Sequence, residues 1–195
     1  MDGFTSVTAP VSHRLELYTH HLLIQGVVTA PFKRTSDLLN SAASEFMMAN
    51  NAFVTPLGQT PGGKPIDNPV MVRGKLLHFV VEVPEGGQPA KRGAQGGEPV
   101  GGREAYIRKD NYPCFALTGV YAIHGYCHLH PGTSLENLLR GNDVFFPITR
   151  STIYLVANTK VSWRRDVVII NREMVTAMYL TSEPHTAATP PIVAR

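Results

Sequence analysis

Three histidines and a cysteine crowd one short stretch, His124-Gly125-Tyr126-Cys127-His128-Leu129-His130. Side chains of a β-strand alternate between its faces, so His128 and His130 share one face, His124 keeps their parity and Cys127 points the other way. Two imidazoles spaced in this way chelate a divalent metal when a further ligand meets them. Glu136 is the first carboxylate downstream. The set His124, His128, His130 and Glu136 therefore defines one candidate centre, which would belong to a metal-dependent enzyme. The plain alternative is a polar face of an ordinary strand, ended at His130 by Pro131-Gly132. His20 and His21 are adjacent, so on a strand they face opposite ways.

A second set is basic. Lys160, Trp163, Arg164, Arg165 and Arg172, with Arg150 nearby, fall in or beside the expected turns of the C-terminal half. Guanidinium groups hold phosphate, and an exposed aromatic ring stacks a base, so this set would bind a nucleic acid or another polyanion. The alternative is a solvated loop region with Trp163 as a core anchor. The net charge of +3 is mild, which does not by itself announce a nucleic-acid binder. Its distribution is uneven: residues 1–83 carry 6 basic and 6 acidic side chains, residues 84–106 carry 3 and 3, and residues 107–195 carry 9 and 6.

Other chemistry finds no footing in the residues. No G-x-S-x-G elbow is present, and no spacing links a serine or cysteine to an activating histidine. Cys114 follows Pro113 in an apolar setting and reads as a buried thiol, and two cysteines make no disulfide framework. The 15 acidic residues are spread along the chain. The balance of these readings leans away from an enzyme.

The elements that must position these residues come from the pattern of apolar side chains. With 43% hydrophobic residues a packed core is feasible, and 17 glycines with 15 prolines favour turns over long helices. Residues 84–105, PEGGQPAKRGAQGGEPVGGREA, hold seven glycines, three prolines and a single large aliphatic, Val100. Such a stretch buries too little apolar area to offset its ordering entropy, and it reads as a linker or long loop. It matches neither phosphate-binding glycine pattern.

The segments on either side look like copies. Ile24-Gln25-Gly26 matches Ile123-His124-Gly125, Leu38-Leu39 matches Leu138-Leu139, Phe46 matches Phe146, and Val70–Val80 falls on Val168–Met178. The offset stays between 98 and 100 residues. Each copy reads as a bent, glycine-containing opening strand, then a short helical turn and three short strands. Ser36-Asp37 and Ser134 with Glu136 suit the helix N-terminus. Gly74 and Asn171-Arg172 suit a tight hairpin between the last two strands. Residues 106–117 add an edge strand or hairpin to the second copy.

Gly26, Asp37, Asn40 and Val72-Arg73-Gly74 follow the order of features in Sm-like small β-barrels: a glycine-bent strand, a loop bearing Asp and Asn, and a final Arg-Gly hairpin. Over residues 26–74 the first copy resembles that family. The resemblance implies a small barrel with RNA contacts at Asp37, Asn40 and Arg73. Read without it, these are a helix N-terminal acid, a turn residue and an edge-strand charge. The second copy has Glu136-Asn137 and Asn171-Arg172 instead. The histidine stretch separately resembles the opening of a cupin metal motif through Gly125, His128, His130, Glu136 and Gly141. It departs from that motif by five residues between His130 and Glu136, and no second histidine motif follows.

The sequence thus predicts an all-β protein formed by tandem duplication of a small β-barrel or β-roll unit. Its expected parts are a first repeat over 11–83, a linker over 84–106, a second repeat over 107–181 and a flexible tail over 182–195. Whether the repeats form one barrel or two stays open. The expected function is a non-enzymatic binding or scaffolding module of a bacterial type, acting as a homo-oligomer or with a protein partner. Nucleic-acid binding through the basic second repeat, and a metal enzyme built on His128 and His130, are the alternatives. The N-terminus carries no apolar signal segment and no apolar run approaches a membrane span, so a cytoplasmic location without membrane contact is expected.

Overall fold

A computed structural model describes residues 9–43, 45–59, 64–84 and 109–181. The linker from residue 85 onward and the tail from residue 182 lie outside the described residues. The chain is predominantly β, as expected. The first half runs β1 (Val11–Tyr18), β2 (Leu22–Ala30), helix α1 (Thr35–Ser41), β3 (Phe46–Pro56), β4 (Val70–Arg73), a 3-10 turn (Gly74–Leu76) and β5 (Phe79–Glu82). The second half runs β6 (Asp110–Leu117), β7 (Tyr121–Leu129), helix α2 (Leu135–Arg140), β8 (Phe145–Leu155), β9 (Asn158–Asn171), a 3-10 turn (Arg172–Met174) and β10 (Ala177–Leu180). The same succession of elements occurs in each half. No helix among the described residues is long and apolar enough to cross a membrane.

All ten strands join one antiparallel sheet in the order β10-β6-β7-β8-β9-β5-β1-β2-β3-β4. Each half contributes five consecutive strands, arranged last-first-second-third-fourth. The halves meet where β5 pairs with β9, through Phe79↔Ile170 and Val80↔Ile169. Strand β5 also pairs with β1, so one short strand is hydrogen-bonded to both halves.

The expected opening strand is a hairpin. β1 and β2 are separate and paired along their whole length, from Val11↔Ala30 to Tyr18↔Leu23. Thr19 closes the turn: its backbone N–H donates to Leu22 O at 2.9 Å and its hydroxyl accepts from Leu22 N at 3.0 Å. Sequence pattern merged the two strands because both are rich in β-formers, and only Thr19-His20-His21 separate them.

The bend sits where the glycines are. Pairing of β2 with β3 shifts between Gln25 and Val27, and pairing of β7 with β8 shifts between His124 and Tyr126. Each shift places a glycine of one strand against a bulge of the next, whose extra residue has positive φ: Asn51 at 49° and Arg150 at 51°. An added Cβ on Gly125 would lie 2.5 Å from Ile148 Cγ2 and 2.8 Å from Thr149 O. Only a residue without a side chain allows the strands to approach this closely, and the bulge then sharpens the local twist.

The expected hairpins at Gly74 and Asn171-Arg172 are absent. β4 pairs with β3, while β5 pairs with β1 and β9. A 3-10 turn carries the chain from one side of the half to the other, and in each half its entry is held the same way. Gly74 N donates to Glu45 O at 3.1 Å, and Arg172 N donates to Val144 O at 2.7 Å. Ser134 caps α2 by accepting from Asn137 N at 3.3 Å. Helix α1 starts at Thr35 with no side-chain cap, and Asp37 lies in its first turn.

The core divides into two clusters. One is built on Leu15, Leu17, Ile24, Leu39 and Leu77 and includes Phe145 and Ile169 from the second half. The other is built on Tyr121, Ile123, Ile148, Ile153 and Ile170 and includes Tyr18, Phe79 and Val81 from the first. Each half therefore lends apolar side chains to the other's core.

Candidate functional site

The histidine stretch forms β7. Tyr121, Ile123, Cys127 and Leu129 are buried, while His124, Tyr126 and His128 are half-buried on the other face, the parity expected from alternation. His124 packs edge-on against Phe115, with ring centroids 4.6 Å apart, and against Tyr154 at 5.6 Å. His128 Nε2 lies 3.0 Å from Thr149 Oγ1. Partial burial holds the His128 imidazole below its ordinary pKa, and the Lys109 charge acts in the same direction. His130 follows the strand end. Glu136 is exposed on α2 and pairs with Arg140, one turn on, at 3.0 Å. Among the described residues no group of three or more His, Cys, Asp or Glu side chains is placed to hold a metal ion. Cys114 and Cys127 are both buried free thiols. Contact with Cys127, together with burial, pushes the Cys114 thiol far above its usual range.

The basic set divides. Lys160 and Arg164 are exposed. Arg165 is turned inward and grips Glu16: its Nη2 lies 2.9 Å from Oε2 and 3.1 Å from Oε1, and its Nε 3.1 Å from Oε2. Arg172 donates to the carbonyl of Gly141. Trp163 stacks at 5.8 Å on Tyr18, and its indole Nε1 is buried without a hydrogen-bond partner. Trp163 and Arg165 thus face the first half across a cleft of about 330 Å³, lined also by Glu16, Tyr18, Gln25 and Leu57.

Sequence reading missed the polar floor of this cleft. Glu16 and Tyr18 lie on the face of β1 opposite Leu15 and Leu17, yet all four are buried. A strand buried on both faces loses the alternation that reveals a core. The Glu16 carboxylate accepts from Arg165, from the Tyr18 hydroxyl at 3.0 Å and from Gln25 Nε2 at 3.3 Å. Burial raises the Tyr18 pKa, and the Glu16 charge raises it further.

The residues singled out by family resemblance have structural partners. Asp37 accepts from Ser36 Oγ at 3.3 Å. The Arg73 guanidinium lies 4.7 Å over the Phe46 ring. Asn40 reaches across the junction: its Nδ2 donates to Phe145 O at 3.0 Å and its Oδ1 accepts from Phe145 N at 2.8 Å. One amide side chain thereby satisfies both main-chain groups of the first residue of β8.

The ends of the sheet are the other notable surface. Among the described residues, β4 pairs only with β3, and β10 pairs only with β6. Phe46, Met48, Met71 and Leu76 are 51–57% exposed at one end, and Tyr179 and Leu180 are 44% and 40% exposed at the other. Strand edges present unpaired N–H and C=O groups in a row, and here apolar side chains flank them. Comparison of the chain with protein-family models, with curated proteins and with solved structures found no match.

Proposed function

We propose that this protein is a non-enzymatic binding or scaffolding module that works through the two open ends of its sheet. One observation carries the reading: the most exposed large apolar side chains, Met71, Leu76, Phe46 and Met48, lie on or next to one terminal strand, and Tyr179 and Leu180 lie on the other. Clustered apolar side chains beside unpaired backbone mark a surface that another chain completes. The recurring succession of elements, the matched bulges and the matched 3-10 turns support an origin by tandem duplication. The glycine-bent β2 supports a resemblance to Sm-like small barrels, while the Arg-Gly hairpin of that pattern is replaced by a crossing 3-10 turn.

Photo-crosslinking tests the reading. Benzoylphenylalanine placed at Leu76 or Tyr179 in cells that make the protein is expected to give discrete protein adducts. Placed at Val156, which is exposed but distant in the sheet order from both ends, it is expected to give none. Adducts from all three positions alike, or from none, would contradict the proposal. Nucleic-acid binding rests on less, because Arg165 is committed to Glu16 and Trp163 to Tyr18. It would leave Lys160 and Arg164 as the exposed contacts, with binding that weakens steeply as salt rises.

A further inference from the structure

The proposed edge-docking function leaves the occupant of the edges unnamed, and the junction inside the chain supplies a template for it. There, the last strand of the first half, β5, pairs with the fourth strand of the second half, β9. The corresponding strands with one edge open among the described residues are β10, the last of the second half, and β4, the fourth of the first. We infer that these two edges bind one another between copies of this chain, head to tail, so that β10 of one copy adds to β4 of the next. This rests on the reading that the edges are docking surfaces, and it names the partner.

The register follows from the repeat. Shifting the internal pairs Phe79↔Ile170 and Val80↔Ile169 by the 98-residue offset that relates Val70 to Val168 gives Ala177 opposite Val72 and Met178 opposite Met71. Side-chain burial changes at the same positions. Ile169 is 6% exposed in the internal junction, and its counterpart Met71 is 57% exposed at the open edge. Phe145, covered by α1, is 1% exposed, whereas Phe46 at the same pairing position on β3 is 51% exposed. Val81 is 3% exposed against 44% for Tyr179.

The helices repeat the contrast. Leu38 and Leu39 of α1 are buried in a cluster that holds Phe145 and Ile169, while Leu138 and Leu139 of α2 are only half-buried. In the inferred contact α2 covers Phe46 of the next copy as α1 covers Phe145. Met71, Phe46, Tyr179 and the α2 leucines each have a covered twin inside the same chain, and a second copy supplies the missing neighbour to all of them. Such a contact is heterologous, so any open assembly still presents one β4 and one β10, and growth does not stop at two chains.

Directed cross-linking tests the inference. Chains carrying Met71→Cys and chains carrying Met178→Cys are purified separately, mixed and mildly oxidised. Opposed residues of antiparallel strands lie close enough for a disulfide, and the native Cys114 and Cys127 are buried. The expected product is a disulfide between position 71 of one chain and position 178 of the other, formed in the mixture and not by either variant alone. Self-linking of either variant at the rate of the mixture would show a symmetric edge pairing and overturn the inference, as would the absence of any linked product. Sedimentation of the unmodified chain guards against a damaged variant: species heavier than two chains are expected, and a lone monomer or a dimer that grows no further overturns the proposal. If photo-crosslinking at the edges captures another protein while the chain stays monomeric, edge docking stands and self-assembly fails. If the edges capture nothing at all, both fail.

Discussion

Gly125 illustrates how one residue shapes the molecule. Its missing side chain lets β7 lie against the bulge at Arg150, and any Cβ there meets both Ile148 Cγ2 and the Thr149 carbonyl. Gly125→Ala is therefore expected to cost about 2–3 kcal/mol, in the range of overpacked core sites, as measured by urea unfolding. Gly26→Ala, where the nearest atoms lie at 3.1 Å, is expected to cost less, about 1 kcal/mol on the same scale. His78 makes a second case. It is buried between the halves beside the rings of His20 and Tyr121, and its Nδ1 has no hydrogen-bond partner. Burial depresses its pKa below the ordinary 6.5. The nearby His20 charge acts in the same direction, and the Thr118 carbonyl opposes both. A depressed histidine binds its proton more readily when unfolded, so its contribution is constant above pH 6.5 and turns against the fold as pH falls below that value. Unfolding free energies measured between neutral and mildly acidic pH are expected to fall more for the wild type than for His78→Gln; parallel curves would contradict this account of the site. Only the glycine's role was visible in the sequence. A strand glycine suggested a bend, but nothing in the local pattern marked His78 as buried, because its neighbours come from distant strands.

At the scale of elements, the periodic features were legible. The same succession of elements in each half, the short helix after Ser134 and the short strand at Val70 appear where repetition, capping and alternation placed them, whereas α1 begins at Thr35 without a side-chain cap and Val168 lies in the 14-residue β9. The expectations that failed concerned connections. Leu15 to Val28 read as one bent strand because a tight turn at Thr19–His21 leaves little mark on composition. Gly74 read as a hairpin because turn residues look alike whether the chain folds back on its neighbour or crosses to another strand. Only pairing with β1 and β9 distinguishes the two, and that information is non-local. Asn40 belongs to this scale as well. It was a plausible RNA contact by resemblance, yet its side chain ties α1 to the start of β8 through two hydrogen bonds. Asn40→Ala would leave both main-chain groups of Phe145 unsatisfied in a half-buried place. The expected loss is about 1–3 kcal/mol, with Asn40→Asp recovering only the bond accepted from Phe145 N. A loss near zero in thermal or chemical unfolding would remove Asn40 from the junction's supports.

Over the whole molecule the two halves differ in what surrounds them. One β5-type strand is paired on both sides, and its counterpart β10 is paired on one; one fourth strand, β9, is covered, and its counterpart β4 is open. Of the histidines and arginines singled out in the sequence, His124, His128, Arg165 and Arg172 are drawn into ring contacts, a Thr149 hydrogen bond, a Glu16 ion pair and a Gly141 carbonyl contact. The proposed function rests instead on the apolar character of the two ends, which composition could not reveal because Met71, Phe46 and Tyr179 look like core residues in a sequence. The most direct measurement is sedimentation equilibrium on the full chain and on the Met71→Lys, Met178→Lys double variant, which sets like charges opposite one another in the inferred pairing. The expected result is wild-type mass above that of two chains and a variant that sediments as the 21.3 kDa monomer and still unfolds cooperatively. A wild type that remains at 21.3 kDa across the concentration range, or a variant that assembles as the wild type does, would contradict the account.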